Sequence, residues 1–280
     1  MASASLGLRR LSQQRLAREP LDTPEDVVNW LGAVQSQEYQ AALWSLGLRM
    51  CAATADVIER AFNEGAILRT HVMRPTWHFV TPADIRWMLE LTAPRISATM
   101  AYYNRQLELD DDLFTHSNTV IAAALEGERQ LTRPELGAAL AQAGIAVKGQ
   151  RLGHIIMRAE LDGVICSGPR RGKQFTYALL AERAPQSQTL PRDEALAELV
   201  RRYFTSHGPA TTRDFAWWSG LTVTDARAGL ASVGSALSRE EIDGQTYWFS
   251  ASALPEADPA HAALLLPTYD ELLVGYNGFA

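Results

Sequence analysis

The sequence predicts a mainly α-helical fold with small β-hairpins, built from tandem copies of one unit. Residues 113–182 (unit 2) and 192–252 (unit 3) repeat the same order, three helical patterns followed by two β-rich runs around a turn. The stretches LTRPEL and TTRDFA occupy the same place in the two copies. Three helices followed by a hairpin is the order of a winged helix, a variant of the helix-turn-helix. The α+β class and a tandem winged-helix architecture follow from this repeat.

Local signals predict where the helices and hairpins of the two regular copies begin and end. In unit 2, Thr132 and Glu135 have the spacing of a capping box, in which both side chains satisfy backbone N–H groups. Thr211 takes the equivalent place in unit 3. A Gly-Pro-Arg-Arg-Gly stretch predicts the hairpin turn of unit 2, and Asp243-Gly244 predicts that of unit 3.

Residues 1–81 predict a third, modified copy, unit 1. A Thr-Pro-Glu-Asp signal at Thr23 opens a helix, and ATADVIERAFNEG predicts a later one. AILRTHVMRPTWHFVTP predicts a hairpin. We interpret QSQEYQAALWSLGLRM, which begins at Gln35, as an insertion between the second and third helices of this unit. The sequence thus predicts three winged-helix units in all.

The rest of the chain predicts a connection and a terminal piece. Residues 82–112 predict a mostly helical linker, which ends in an acidic run that we interpret as a solvated turn. Residues 253–280 predict only the start of a C-terminal element, with one buried-strand candidate at Ala263–Leu266. They are too few for a complete unit, so we expect this element to be incomplete.

Composition excludes several classes of protein. The 280 residues are 47% hydrophobic and 21% charged, which is ordinary for a globular protein. The net charge of −6 excludes a basic nucleic-acid coat, so any DNA binding must use a local patch. Two distant cysteines argue against a disulfide scaffold or a zinc ribbon and fit a reducing cytoplasm. With no signal peptide and no apolar run of about 20 residues, we expect a soluble cytoplasmic protein without membrane contact.

Local charge separates unit 2 from unit 3. Residues 145–175 contain six basic and two acidic side chains, whereas residues 206–250 contain three basic and five acidic ones. The third helix and the wing of unit 2 therefore suit phosphate groups. The predicted DNA contacts in this unit are Lys148, Arg151, Arg170, Arg171 and Lys173. The alternative is that the hairpin tip carries charge only for solubility.

The first hairpin, RTHVMRPTWHFV, carries polar side chains that a hairpin does not require. Arg69 and His71 alternate onto one face of the predicted strand, and Arg74 lies at the bend. We predict that these three residues and His78 face a DNA-binding site. The alternative is surface arginines with His78 satisfied in the core. No two histidines have metal-ligand spacing, so we predict no metal site.

Gln35 and Gln37 stand one residue apart in an otherwise apolar segment. On a helix they would point about 200° apart, but in an extended segment they would point to the same side. We expect the preceding helix to end near Val34 or Gln35, and the two amides form a clamp if the segment leaves the helix in extended form. Two amides can then accept a hydrogen bond from water and donate one, but they cannot strongly remove a proton. The alternative is a pair of helix-end glutamines that cap carbonyls.

Such a pair suits only a reaction with a very good leaving group. Hydrolysis of the N-glycosidic bond of a cationic, N7-alkylated purine is one such reaction, because the base already carries its positive charge. The sugar becomes oxocarbenium-like, and water need only be positioned. The pair therefore predicts a catalytic site that needs neither metal nor cofactor.

AVQSQEYQAALWSL, RTHVMRPTWHFV and LLPTYDELLVGY together resemble segments of the AlkZ-like winged-helix DNA glycosylases, in the same order and over nearly the whole chain. The resemblance implies monofunctional removal of N7-alkylated bases from double-stranded DNA, including bulky adducts and some interstrand crosslinks, without metal or cofactor. The Gln-x-Gln motif of the family matches Gln35-Ser36-Gln37, which implies that both glutamines position the catalytic water. A sister branch has Gln-x-Asp, so Gln37 indicates the first branch.

The end of the chain departs from the family pattern. Members usually continue after the Gly-Tyr pair with an arginine-rich sequence and a C-terminal β-domain, whereas this chain reads GYNGFA. We therefore expect the C-terminal β-domain to be truncated. Asp270 and Glu271 take part in the site or act as helix-cap charges, and both interpretations stay open.

Two other functions stay open, because fold alone does not determine function. A winged-helix transcriptional regulator without catalytic activity would dimerise and prefer a palindromic sequence. A scaffold would use the acidic unit 3 for protein contacts. The glutamine segment favours a glycosylase, because a regulator needs no insertion there. We expect a monomer that is indifferent to DNA sequence.

Overall fold

The computed structural model describes residues 2–252 and 263–278. The helices of this part of the chain are α1 Ala2–Gln13, α2 Pro24–Leu31, α3 Tyr39–Gly47, α4 Ala55–Glu64, α5 Ile85–Gln106, α6 Asp111–Leu125, α7 Arg133–Gln142, α8 Arg151–Leu161, α9 Leu180–Arg183, α10 Arg192–Ser206, α11 Thr212–Ser219, α12 Val223–Val233 and α13 Glu271–Val274. The strands are β1 Val34–Gln35, β2 Leu68–His71, β3 Trp77–Val80, β4 Leu131–Thr132, β5 Ile165–Ser167, β6 Thr176–Leu179, β7 Leu237–Ile242 and β8 Gln245–Ser250. No described helix is both long and apolar enough to cross a membrane.

The strands form three small antiparallel sheets. Two of them have three strands each, in the orders β1-β3-β2 and β4-β6-β5, and β7 pairs with β8 in the third. In the first sheet Gln35 pairs with His78, and in the second Thr132 pairs with Thr176. In the third, Ala210 forms a single bridge to β8. Small sheets among helices confirm the predicted α+β class.

Capping boxes confirm the helix starts predicted in units 2 and 3. The Thr132 hydroxyl accepts from the backbone of Glu135, while the Glu135 carboxylate accepts from the Thr132 N–H at 2.7 Å. Thr211 forms the same box at the start of α11. Asp243 and Gly244 connect β7 to β8 with φ angles of 48° and 77°, as a tight hairpin turn requires.

The element order corrects the predicted insertion in unit 1. Unit 1 runs α2, β1, α3, α4, β2, β3, and unit 2 runs α6, β4, α7, α8, β5, β6. Because the strand orders also agree, the segment from Gln35 to Gly47 occupies the place of β4 and α7. The glutamine segment therefore belongs to the unit itself. The boundaries of the three units stay predictions.

Helix α5 lies in the predicted linker and shares a core with units 1 and 3. That core contains Trp87 of α5, Leu68 of β2 and Trp218 of α11. Separate cores lie inside unit 1, around Phe62, and inside unit 2, around Ile155. Helix α8 of unit 2 also packs against β2. The hairpin of unit 1 is thereby held between the other two units.

The C-terminal segment differs from the prediction. Residues 263–267 form no strand, and Leu265 is 79% exposed, so the buried strand expected at Ala263–Leu266 is wrong. The carbonyl of Leu265 instead accepts from Trp44 Nε1 at 3.0 Å, which lays the segment across α3. Burial begins only at Asp270. Residues 253–262 and 279–280 of the predicted C-terminal element lie outside the described residues.

Candidate active site

Gln35 ends β1, and its side chain lies inside the protein. The chain is extended here because α2 ends at Leu31, three residues before the earlier of the two predicted ends, Val34, so Gln35 lies outside the helix. Gln35 is 6% exposed, and its Oε1 accepts a 2.7 Å hydrogen bond from Nη2 of Arg74. Burial lowers the pKa of Arg74 from its usual value. The amide oxygen of Gln35 therefore has a cationic partner in the β2–β3 turn.

Gln37 has a different setting, at the wall of a cleft of about 420 Å³ between units 1 and 2. Its Oε1 accepts from the backbone N–H of Trp77 at 3.4 Å, a long hydrogen bond. Among the described residues its Nε2 has no hydrogen-bond partner. The other residues that line the cleft are His71, Pro75, Trp77, Met100, Tyr103, Arg133, Gln150, Gly153, His154, Ile156, Met157 and Tyr177. Gln37 is therefore the glutamine that a ligand can reach.

The turn that carries Arg74 is fixed by α5 and unit 3. Met73 has a φ of 64°, in the left-handed region, and its N–H donates to Thr92 Oγ1 of α5 at 3.1 Å. Gly220, just after α11, approaches so closely that a Cβ there would lie 2.1 Å from the carbonyl oxygen of Met73. Only glycine permits this approach. The turn is consequently held in one conformation beside both glutamines.

Glu271 lies directly behind the glutamine strand and is fully buried. Its Oε1 accepts from the backbone N–H of Gln35 at 2.7 Å, and its Oε2 accepts from Trp218 Nε1 at 2.9 Å. His207 Nε2 lies 3.5 Å from the same Oε2. Burial would raise the pKa of Glu271, but the contacts with His207 and the Gln35 N–H hold it below its usual value. The ionised carboxylate ties the strand to unit 3.

Asp270 acts as a helix cap and as half of a buried ion pair. Its Oδ1 accepts from the N–H of Leu272 at 2.9 Å, which confirms the cap interpretation for this residue. Both carboxylate oxygens also bind the guanidinium of Arg49, at 2.7 and 2.8 Å, and Ser45 donates to Oδ2. Burial would raise the pKa of Asp270, but its bonds to Arg49 lower it. The LLPTYDELLVGY segment thus clamps α3 and β1.

His71 and Trp77 form the wall of the cleft beside Gln37. They are direct partners across β2 and β3, with ring centroids 4.2 Å apart. His71 Nδ1 hydrogen bonds to the Oε2 of Glu160 on α8, and Trp77 Nε1 donates to its Oε1 at 3.3 Å. Glu160 is 1% exposed. A buried carboxylate of unit 2 therefore orients two cleft residues of unit 1.

A family model for the AlkZ-like DNA glycosylases matches residues 28–280. The chain belongs to the AlkZ-like DNA glycosylase family. An interstrand DNA cross-link repair glycosylase of Streptomyces sahachiroi is 26% identical over 279 residues, which cover 95% of this chain and 75% of that protein. The solved Streptomyces sahachiroi DNA glycosylase AlkZ has a TM-score of 0.75 at 24% identity, over 88% of this chain and 69% of that one. That likeness confirms the fold and agrees with the winged-helix description.

As an AlkZ-like DNA glycosylase, the chain is a hydrolase of N-glycosyl bonds whose substrate is DNA. Two of the predicted DNA contacts, Arg69 and His78, are nevertheless buried. Arg69 is 7% exposed, donates from Nε to the carbonyl of Ser36 at 3.1 Å, and lies over the Trp77 ring. Burial lowers its pKa to about 10. His78 is fully buried, and burial, aided by Arg74, lowers its pKa to about 3. Both residues support the glutamine segment, and these positions do not fit the predicted contact with DNA.

The predicted DNA contacts of unit 2 divide into paired and open residues. Arg170 donates to Glu59 at 3.0 Å and lies over the Tyr39 ring, because the wing packs onto unit 1. Arg171 donates to Glu135 at 2.7 Å. The guanidinium of Arg151 donates to backbone carbonyls, at 2.9 Å for Ala146 and 3.2 Å for Glu108. The two lysines of this set, Lys148 and Lys173, are exposed. The lysines are therefore the members most open to a phosphate, and the DNA role of all five stays a prediction.

Sequence reasoning missed Glu160, which lies behind the wall of this glycosylase cleft, and Arg133, which lines it. Glu160 follows Ile156 by four residues, so it falls on the apolar face of α8, and a charged residue on a buried face was the available signal. Arg133 reaches the cleft over Gly153, where a Cβ would lie only 2.9 Å from its Nη2. Gly153 lies within the helical pattern of α8, and nothing in the sequence around it signals this close approach.

Proposed function

We propose that this glycosylase hydrolyses the N-glycosidic bond of cationic N7-alkylated purines in double-stranded DNA, with its two motif glutamines positioning water. The observation that carries the proposal is Gln37 at the wall of a cleft, with an amide nitrogen open to a ligand. The cleft is large enough for a base, since small-molecule sites of this kind measure about 300–1,000 Å³. Its aromatic lining suits a flat cationic ring.

Gln37 and Gln35 have different parts in this proposal. The amide of Gln37 touches the water and directs its oxygen toward the sugar carbon. Gln35 lies behind it, held between Arg74 on its side chain and Glu271 on its backbone N–H. The charged base leaves without a general acid, so the two glutamines serve to position the water and to stabilise the sugar cation.

The proposal extends to bulky adducts and interstrand crosslinks. The relative from Streptomyces sahachiroi is named for interstrand cross-link repair, and its 26% identity over 95% of this chain supports a comparable substrate. The enzyme would be monofunctional, because the proposed nucleophile is water and no lysine lines the cleft within the described residues. It would act as a monomer and need neither metal nor cofactor.

The test is release of free N7-methylguanine from alkylated duplex DNA under single-turnover conditions. We expect Gln37→Ala to reduce the rate about 100-fold, the typical effect of losing one catalytic polar contact. Gln35→Ala should reduce it as well, through the disturbed turn. Gln142→Ala is the matched control, since this exposed glutamine at the far end of α7 from Arg133 does not line the cleft, and the variant should retain the wild-type rate.

Two results would contradict the proposal. Release that is unaffected by Gln37→Ala would remove the assigned role of the motif. Tight sequence-specific binding without any release would favour the regulator instead.

A further inference from the structure

His71 lines the cleft and is hydrogen bonded to the buried Glu160 behind it, a pair to which the two glutamines assign no role. Attack by water on the sugar carbon releases a proton, and an amide cannot take it. His71 lines the same cleft as Gln37, and both residues contact Trp77, one at its ring and one at its backbone N–H. A group able to accept a proton therefore lies beside the glutamine proposed to hold the water.

The orientation of the His71 ring is set by Glu160. The hydrogen bond from Nδ1 to the buried carboxylate places the proton of the neutral imidazole on Nδ1 and leaves a lone pair on Nε2. No described residue hydrogen bonds to that Nε2. Glu160 also accepts from Trp77 Nε1, so the carboxylate cannot turn away. This is the arrangement that orients a general base in hydrolytic enzymes.

The other histidines near the site have different partners. His154 lines the cleft, but its Nδ1 contacts the amide oxygen of Asn104 at 2.7 Å, and burial lowers its pKa. His78 has no exposed surface, and its pKa of about 3 keeps it neutral. Among the described histidines that line the cleft, only His71 has a carboxylate behind it.

Several charged or titratable groups surround the pair. Arg69 on β2 and Tyr177 on β6 interact electrostatically with Glu160, and Arg133 of α7 lies in the cleft. From its own hairpin, His71 is faced by His78. Arg69 in particular offsets the negative charge of the buried Glu160, so removal of either charge leaves the other uncompensated.

We propose that His71 is the general base of the reaction and that Glu160 is its positioning residue. The oxygen of the water bonds to the sugar C1′ as the C1′–N9 bond breaks, and the electron pair of that bond neutralises the cationic purine. The proton of the water passes to His71 Nε2, and the imidazolium is stabilised by Glu160 until it releases the proton to solvent. This inference rests on the proposed function, because it assigns the proton of that same reaction.

The test is the pH dependence of single-turnover base release. Measured from about pH 5 to 8, the span that histidine bases cover in general, the wild-type rate should fall toward acid, since a base that already carries the proton cannot accept one. His71→Asn keeps a donor for Glu160 but removes the base. It should lose this acid limb and slow release by about 100-fold or more, the usual contribution of a general base. Glu160→Gln should shift the limb, as expected of a residue that acts through another.

His154→Asn is the matched control, because it changes a cleft histidine that has an amide behind it. Its pH profile should keep the wild-type acid limb. Thermal unfolding and affinity for undamaged DNA, measured for each variant, separate loss of fold from loss of catalysis.

Each outcome distinguishes the two proposals. A wild-type rate that is flat across this pH range overturns the role of His71 without any variant. The same conclusion follows if His71→Asn retains the acid limb while Gln37→Ala still stops release, and the proposed function then survives. No release by the wild-type protein at any pH overturns the proposed function and this inference with it.

Discussion

Units 1 and 2 share a strand order but continue differently after their first strand. In unit 2 the strand residue Thr132 is itself the N-cap of α7, so the helix begins at the next residue. In unit 1 the equivalent strand residue is Gln35, and α3 begins only at Tyr39. The N-cap of α3 is Glu38, which makes no side-chain capping bond. Unit 3 resembles unit 2, because Thr211 caps α11 directly after the bridge at Ala210.

The difference shows how a repeated unit acquires a site. Three residues, Ser36 to Glu38, stand between strand and helix in unit 1 where unit 2 has none. They carry the second glutamine to the wall of the cleft, and the capping box is absent. The strand that leads to them is stabilised from outside the unit by Glu271 and, within the unit, by Arg74 of the β2–β3 turn.

Units 1 and 2 also differ in how deeply their ion pairs are buried. The Arg49–Asp270 pair that clamps unit 1 has no exposed side-chain surface. The Arg171–Glu135 pair of unit 2 is about half exposed, at 53% and 43%. Buried pairs and surface pairs have very different energetic consequences when one partner is removed.

The largest expected effect is therefore on the clamp of unit 1. Arg49→Ala should lower the free energy of unfolding by about 3–5 kcal/mol, because it leaves Asp270 buried without a cation. Arg171→Ala, the matched change in unit 2, should cost at most about 1 kcal/mol. Urea unfolding of the two variants measures both values. Equal losses would contradict the division between a buried clamp and a solvated surface pair.

The second largest expected effect is on the pH dependence of the free energy of unfolding, and it comes from His78. This residue stands opposite Gln35, where unit 2 has Thr176 opposite Thr132. Its pKa falls from 6.5 to about 3 on folding, so the unfolded chain binds more protons between those values. Stability is therefore full above pH 6.5 and is lost as the pH falls, by about 1.4 kcal/mol per pH unit from this residue.

The free energy of unfolding of the wild-type protein and of His78→Gln, measured from neutral pH to about pH 5, tests this contribution of His78. The other histidines contribute equally to the pH dependence of both proteins, so the difference between them isolates His78. His78→Gln should flatten the slope by about 1.4 kcal/mol per pH unit, whatever its stability at neutral pH. An unchanged slope would mean that His78 is protonated in the folded protein.

The helix starts and turns that local sequence signals predict are the ones that depend only on nearby residues. The capping boxes at Thr132 and Thr211 and the turn at Asp243 depend on neighbours within a few residues, so their elements were predictable. The departure of Gln35 and Gln37 from the helix followed from the end of one helical pattern. The place of the segment was mistaken for an insertion, because a two-residue strand such as β1 has too few residues to show a period.

The contacts that hold His71 and Gln35 in place could not be predicted from local sequence patterns. Glu160 lies 89 positions from His71, and Glu271 lies 236 positions from Gln35. Such contacts exist only after the units have packed together. The burial of Arg69 and His78 arises in the same way, since the hairpin that carries them is covered by unit 2 and α5.

The smallest effect tests the helix starts themselves. Thr132→Ala should lower the free energy of unfolding by about 1 kcal/mol, because it removes the hydroxyl that caps α7. Glu38→Ala, at the equivalent position of α3, should change it by no more than about 0.5 kcal/mol, since that exposed side chain makes no cap bond. Urea unfolding of both variants gives the comparison. If Glu38→Ala lowers the free energy of unfolding as much as Thr132→Ala does, then Glu38 caps α3. The contrast between a capped helix start in unit 2 and an uncapped one in unit 1 would then be wrong.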